Sequence, residues 1–232
     1  MQDPSPTPAA DAASGAHTEA PATGDPVHQG VYGPFTITAA DRREVLGYRL
    51  SLLVAALAQL ALLAQWHWLG GEHLWPWLLP LAGGLGLALR WIHIYLRPLH
   101  RALQAFWLLG CGGLVALAVQ AGPGAMAATL EADGRWLWAI GPLFAALAGI
   151  GFKEFFCFQR PEAIGVTLLL PAALLGHLSG LLAPELVGRL LALEAALLVV
   201  LCLRKFPMAA AADVGDKSVF AYLDSQRQSA AA

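Results

Sequence analysis

Six apolar segments, each near the length that carries a helix across a lipid bilayer, dominate this chain and constrain its fold more than any other feature. They cover residues 48–65, 75–96, 103–121, 136–156, 164–182 and 186–203, against the ~20 residues needed to span the hydrocarbon core. Over such runs only a helix satisfies the backbone in lipid. The sequence therefore predicts an all-α polytopic transmembrane bundle with six spans. A content of 57% hydrophobic and 13% charged residues lies outside the soluble range. The balance of 14 basic against 16 acidic residues leaves no net field to attract nucleic acid.

An even number of spans puts both termini on one side, and the basic residues say which. Arg42, Arg43, Arg49, Arg90, Arg97, Arg101, Lys153, Arg160, Arg204, Lys205, Lys217 and Arg227 fall on the terminal side, whereas Arg135 and Arg189 fall on the other. The positive-inside rule then places the N- and C-termini of this integral membrane protein in the cytosol. Trp66, Trp68, Trp75, Trp77, Trp136 and Trp138 gather at the outer helix ends, as an interfacial aromatic belt does.

Residues 1–35 are rich in Pro, Ala, Gly, Ser and Thr, carry several acids and no basic residue, and read as a disordered tail. They lack the basic and apolar regions of a secretory signal. Thr38 and Asp41 have capping-box spacing, so a helix is expected to start there. The transmembrane domain then runs over 36–206. Residues 207–232 form a cytosolic tail, whose Val219, Phe220 and Leu223 at helical spacing suit docking on the protein itself, on the membrane surface or on a partner.

Small residues mark expected helix contacts: Gly83, Gly84 and Gly86, then Gly110, Gly112 and Gly113, then Gly149 and Gly151. Gly176 and Gly180 form a GxxxG pattern in the fifth segment, read as packing within the bundle, with a homodimer face as the alternative.

Two groups of polar residues are candidates for function. His177 and Glu194 lie inside spans, on the order of 8 Å and 12 Å from the outer ends at about 1.5 Å per residue. They could meet as an intramembrane pair, either a proton or cation site or a satisfied contact between helices. Arg90, His93, Arg97, His100, Arg101, Lys153, Glu154, Cys157 and Arg160 cluster at the cytosolic ends of the second to fourth segments. Arg90, His93 and Arg97 recur at i, i+3 and i+7, one helical face, although Pro98 is expected to start the next helix with Arg97 in the turn. Such a cluster suits a phosphate, a carboxylate or an anionic lipid head group, or serves simply as snorkelling and positive-inside anchoring.

No GxSxG, HExxH, P-loop or dinucleotide fingerprint is present, and no catalytic residue is assigned. No cofactor is called for, since His93 and His177 differ in depth and cannot form a bis-imidazole haem site. No metal site is expected, because the spacing of His67, Glu72 and His73 matches none. Cys111, Cys157 and Cys202 have no CxxC spacing and give no disulfide framework.

The stretches ITAADRREVLGYR (37–49), WIHIYLRPLHRALQ (91–104), GIGFKEFFCF (149–158) and VGDKSVFAYL (214–223) resemble a family of uncharacterised integral membrane proteins common in cyanobacteria. The resemblance runs from residue 31 onward. It implies an origin in a photosynthetic bacterium, with a plasma or thylakoid membrane location, and transfers no catalytic residue.

Two classes of function fit these observations. One is a non-enzymatic scaffold or assembly factor for membrane complexes, with the lipid bilayer and other membrane proteins as partners. The other is a small carrier or channel for an ion or anionic solute, worked by His177, Glu194 and the basic cluster. A membrane enzyme acting on a lipid or isoprenoid head group is a third, and would need carboxylates or metal ligands that the cytosolic face mostly lacks.

Overall fold

The computed structural model describes residues 25–231. Two short strands, β1 (Val27–Gly30) and β2 (Gly33–Thr36), precede nine helices: α1 (Ala39–Leu69), α2 (Trp75–Trp91), α3 (Arg97–Ala121), α4 (Met126–Ala132), α5 (Trp136–Phe158), α6 (Pro161–Leu178), α7 (Pro184–Lys205), α8 (Ala210–Val214) and α9 (Lys217–Ala231). Five of them, α1, α3, α5, α6 and α7, are long and apolar enough to cross a membrane. The shorter α2, of 17 residues, is ~25 Å long at the standard helical rise.

Six helices close into a ring in which α1 packs on α2 and α7, α6 packs on α7 and α5, and α3 packs on α5. The seam between α2 and α3 is the least tightly packed of the ring. Buried side chains from all six meet in one core, including Leu52, Leu85, Leu103, Leu147, Leu170 and Leu198. The outer faces carry exposed apolar side chains such as Val54, Leu57, Leu108, Val119, Leu168 and Leu193. A water-facing surface of that kind would aggregate, whereas a lipid-facing one requires it.

Local chemistry explains most boundaries. Thr38 caps α1 as its spacing promised: the Asp41 N–H donates to Thr38 Oγ1 at 3.2 Å, and the Thr38 N–H donates back to Asp41 Oδ2 at 2.7 Å. Prolines open α3, α6 and α7 in their first turn, where a missing N–H costs nothing. Close approach occurs where small residues face a neighbouring backbone. A Cβ on Gly84 would lie 2.7 Å from Ser51 O on α1, and those on Gly110 and Gly113 would collide with the α5 backbone at Leu143 and Ala139. Gly83 and Gly112, also expected as contacts, meet nothing.

Three expectations need correction. First, residues 27–36 are not a featureless tail: they pair as an antiparallel hairpin with His28 opposite Phe35, so the described chain is not all-α. The pairing holds because the hairpin is docked on distant residues, as shown below. The expected tail residues before 25 lie outside the described residues. Second, Gly176 and Gly180 do not form a helix-to-helix contact motif: Gly176 makes room for Leu182 of the following turn, and Gly180 meets nothing. Gly180, at φ +70°, ends α6; its N–H bonds to His177 O at 3.0 Å and that of Leu181 to Gly176 O at 2.9 Å, a Schellman motif. Third, the second helix stops at Trp91 rather than 96. Ile92 is extended and ends the helix, Ile92 and Ile94 are buried in the core, and His93 between them is partly exposed. Arg90, His93 and Arg97 therefore share no helical face.

Candidate polar site at the tail-bearing end

The beginnings of α1, α3 and α6 and the ends of α2, α5 and α7 meet at one end of the ring, and both flanking segments fold over it. The centre is Glu154 in α5, completely buried. Its Oε1 accepts from the Tyr48 hydroxyl of α1 at 2.7 Å and from Lys153 Nζ at 3.1 Å, and its Oε2 accepts from Lys205 Nζ of α7 at 2.5 Å. Lys205 reaches onward to Asp213 Oδ1 of α8, also at 2.5 Å. Arg49 of α1 completes the chain, donating through Nε to Asp213 Oδ2 at 2.8 Å and through its terminal nitrogens to the carbonyls of Met208 and Ala209 at 2.9 and 3.3 Å. The Phe158 ring covers both lysines, 4.5 Å from Lys205 Nζ and 5.4 Å from Lys153 Nζ.

This is a lock rather than a receptacle. Three cations (Lys153, Lys205, Arg49) and two carboxylates (Glu154, Asp213) are each at most 7% exposed and are spent on one another. Burying so many charges is tolerable only when paired and hydrogen-bonded, as here. The network joins three spanning helices to the segment after α7. Beside it, Glu162 of α6 pairs with Arg204 at 3.0 Å and lies 3.9 Å from Arg160, whose other nitrogen touches Met208 Sδ at 3.2 Å.

A second layer covers the lock. The Val31 N–H donates to Asp216 Oδ2 at 2.7 Å and the Tyr32 N–H to Ser218 Oγ at 3.0 Å, so the hairpin turn sits on the start of α9. Tyr32 stacks on Tyr222 at 3.9 Å and Tyr95 on Phe220 at 4.7 Å. Lys217 bridges to Asp41 at 2.8 Å, tying α9 to the α1 cap. The Ser218 hydroxyl first, then the Val31 N–H, hold the Asp216 carboxyl below its ordinary range. The C-terminal segment thus docks on the protein itself.

The nine residues expected to form one basic cluster divide into three groups. Lys153, Glu154 and Arg160 join the lock and its margin. His93, Arg97 and His100 hold the connection between α2 and α3: His93 Nε2 is 3.6 Å from Glu44, Arg97 pairs with Asp224 of α9, and His100 Nε2 donates to Leu89 O at 2.7 Å. Burial above all, with the Lys153 charge adding to it and Glu44 opposing, keeps His93 below the usual imidazole value. Arg90, Arg101 and Cys157 point outward and are exposed. Tyr48, Arg49, Lys205 and Asp213 are the members that sequence reasoning missed; an ionisable residue at the edge of a span reads first as an anchor.

The expected pairing of His177 with Glu194 is not made. His177 sits in the last turn of α6, while Glu194, fully buried mid-way along α7, accepts a hydrogen bond from Gln59 Nε2 of α1. The buried face of α7 holds Glu194 with Ala195, Leu198 and Leu201, and α1 packs against α7. Gln59 Oε1 and Glu194 Oε1 are buried without a partner among the described residues.

No curated protein matches the chain. No solved structure does either. A family model does, over residues 87–222, which is 136 of the 232 residues. It takes in α3 to α8 with the end of α2 and the start of α9, and so most of the lock. Two of the four stretches that carried the family resemblance, 91–104 and 149–158, lie within it, and a third, 214–223, runs one residue past its end. The apolar helices and this match make the protein an integral membrane protein, and it belongs to the family described as uncharacterized integral membrane protein (DUF2301).

Proposed function

We propose that the chain is a six-span, non-enzymatic scaffold or assembly factor for membrane complexes. The observation that carries this reading is the lock: charges that a carrier would expose to a solute are paired with each other, fixing the ends of α1, α5 and α7 under a folded cap. A rigid capped face with short loops opposite suits holding another membrane protein. α2 supplies the sixth crossing, supported by its antiparallel packing on α1 and by Arg90 as its sole charged residue. The accumulation of basic residues at the capped end supports placing it in the cytosol. A cyanobacterial plasma or thylakoid membrane is the proposed location, resting on the family resemblance. Affinity purification from native membranes with mass spectrometry of proteins, pigments and lipids tests the proposal. A stoichiometric membrane complex is expected; a lone protein holding a small solute would overturn it.

A carrier or channel is the second reading, favoured by one observation. Glu194 is an ionisable group within the bilayer-spanning part, beside an amide, with unpartnered oxygens. Reconstituted vesicles separate the two readings. Under the carrier reading Glu194→Gln abolishes flux; under the scaffold reading the same variant still co-purifies with its complex.

A further inference from the structure

The weakest seam of the ring, between α2 and α3, leaves an open groove of about 380 Å³ lined by Gly86, Leu89, Arg90, Gln104, Trp107 and Leu108. Its floor is fixed: the Trp107 indole N–H donates to Ala82 O at 2.8 Å and lays the ring across Gly86, where a Cβ would collide with it. Trp107 and Leu108 give the apolar wall over the buried Leu89, and Leu108 is 61% exposed toward the surroundings of the bundle. The polar residues occupy the end nearer the cap, with Arg90 in the last turn of α2 and Gln104 in the second turn of α3. Arg101, one turn before Gln104 on α3, is exposed at the same end. Among the described residues neither Arg90 nor Arg101 pairs with a carboxylate, and no acidic side chain lines the groove.

We infer that this groove holds one anionic phospholipid, its phosphodiester on the Arg90 guanidinium and the Gln104 amide, and an acyl chain along Trp107 and Leu108. The charge is complementary and the geometry is that of an amphiphile: basic and hydrogen-bonding at the membrane-surface end, apolar deeper in. A zwitterionic head group would find no carboxylate for its ammonium. The inference stands whether the protein is a scaffold or a carrier, since the groove shares no residue with the lock or with Glu194.

Native mass spectrometry of the delipidated full chain, titrated with phosphatidylglycerol or phosphatidylcholine, tests it. One phosphatidylglycerol is expected to be retained in preference to phosphatidylcholine. Arg90→Gln should weaken retention ~tenfold, the loss of about one charge-assisted contact. Leu108→Trp fills the groove without altering charge and should weaken it similarly. Arg43→Gln, which removes the same charge from the exposed start of α1, should leave it unchanged. Equal retention of the two lipids, an Arg43→Gln effect as large as that of Arg90→Gln, no response to Leu108→Trp, or displacement by millimolar inorganic phosphate would each overturn the assignment.

Discussion

Two buried polar places in this molecule handle the same difficulty in opposite ways. At the capped end, five charged side chains and a tyrosine satisfy one another across three spanning helices and α8. In the interior of the bundle, one carboxyl meets one amide between α1 and α7, and an oxygen of each is left over. The first arrangement needs all its members, because removing one strands a charge. The second needs little from its surroundings, and replacing it by apolar groups of similar shape removes an unsatisfied pair rather than creating one. Conformational specificity therefore resides at the capped end, and adaptability in the interior.

Breaking the lock should give the largest effect. Glu154→Ala leaves Lys153 and Lys205 without their shared carboxylate, with an expected loss of ~3–5 kcal/mol, read as the denaturation midpoint in detergent; a loss under ~1 kcal/mol would show that water already screens the site. Arg49→Met should cost ~1.5–3 kcal/mol through its bonds to Asp213 and the carbonyls after α7. Because those bonds anchor the tail, protease cleavage between 205 and 216 should accelerate well before the bundle unfolds. If bundle and tail instead open together, lock and cap form one cooperative unit.

The interior pair should respond weakly. Glu194→Gln keeps an acceptor for Gln59, and the double change Glu194→Leu with Gln59→Leu removes both orphan oxygens. Each is expected to fall within ~1 kcal/mol of the parent, the range for hydrogen bonds between membrane helices. A stabilised double variant would confirm that the pair is retained for something other than stability.

Acidification gives the smallest and most local effect. Asp216 is depressed in the folded state, so its contribution is present at neutral pH and disappears as pH falls through the depressed folded value. His93 is also depressed, so the unfolded chain takes up its proton first and stability begins to fall below the ordinary imidazole value. Both act in the same direction. Amide exchange at Val31 and Tyr32 should therefore speed up as pH is lowered, after correction for intrinsic rates, while amides in α5 hold.

The helices were legible because membrane spans announce themselves in composition, and the start of α1 because a capping box is local chemistry. What escaped depends on contacts between residues far apart in sequence. The segment VHQGVYGPFT offers no Asn-Gly or Asp-Gly turn and becomes a hairpin because Asp216 and Ser218, 185 and 186 residues further on, accept its turn amides. Lys205 looks like one more positive-inside anchor until Glu154 and Asp213 are seen on either side of it. The Schellman end of α6 was misread because GxxxG and a helix-terminating glycine are identical as strings, and only the φ of Gly180 separates them.

The 185-residue separation between Val31 and Asp216 also fixes an order of events during synthesis. The hairpin leaves the ribosome before any spanning helix, yet its docking surface emerges only after all of them. Through that interval residues 27–36 wait without a partner, and the buried lysines at the ends of α5 and α7 lack the cover that α8 provides. The cap can therefore close only after every spanning helix has been synthesised, so it is the last part of the fold to form.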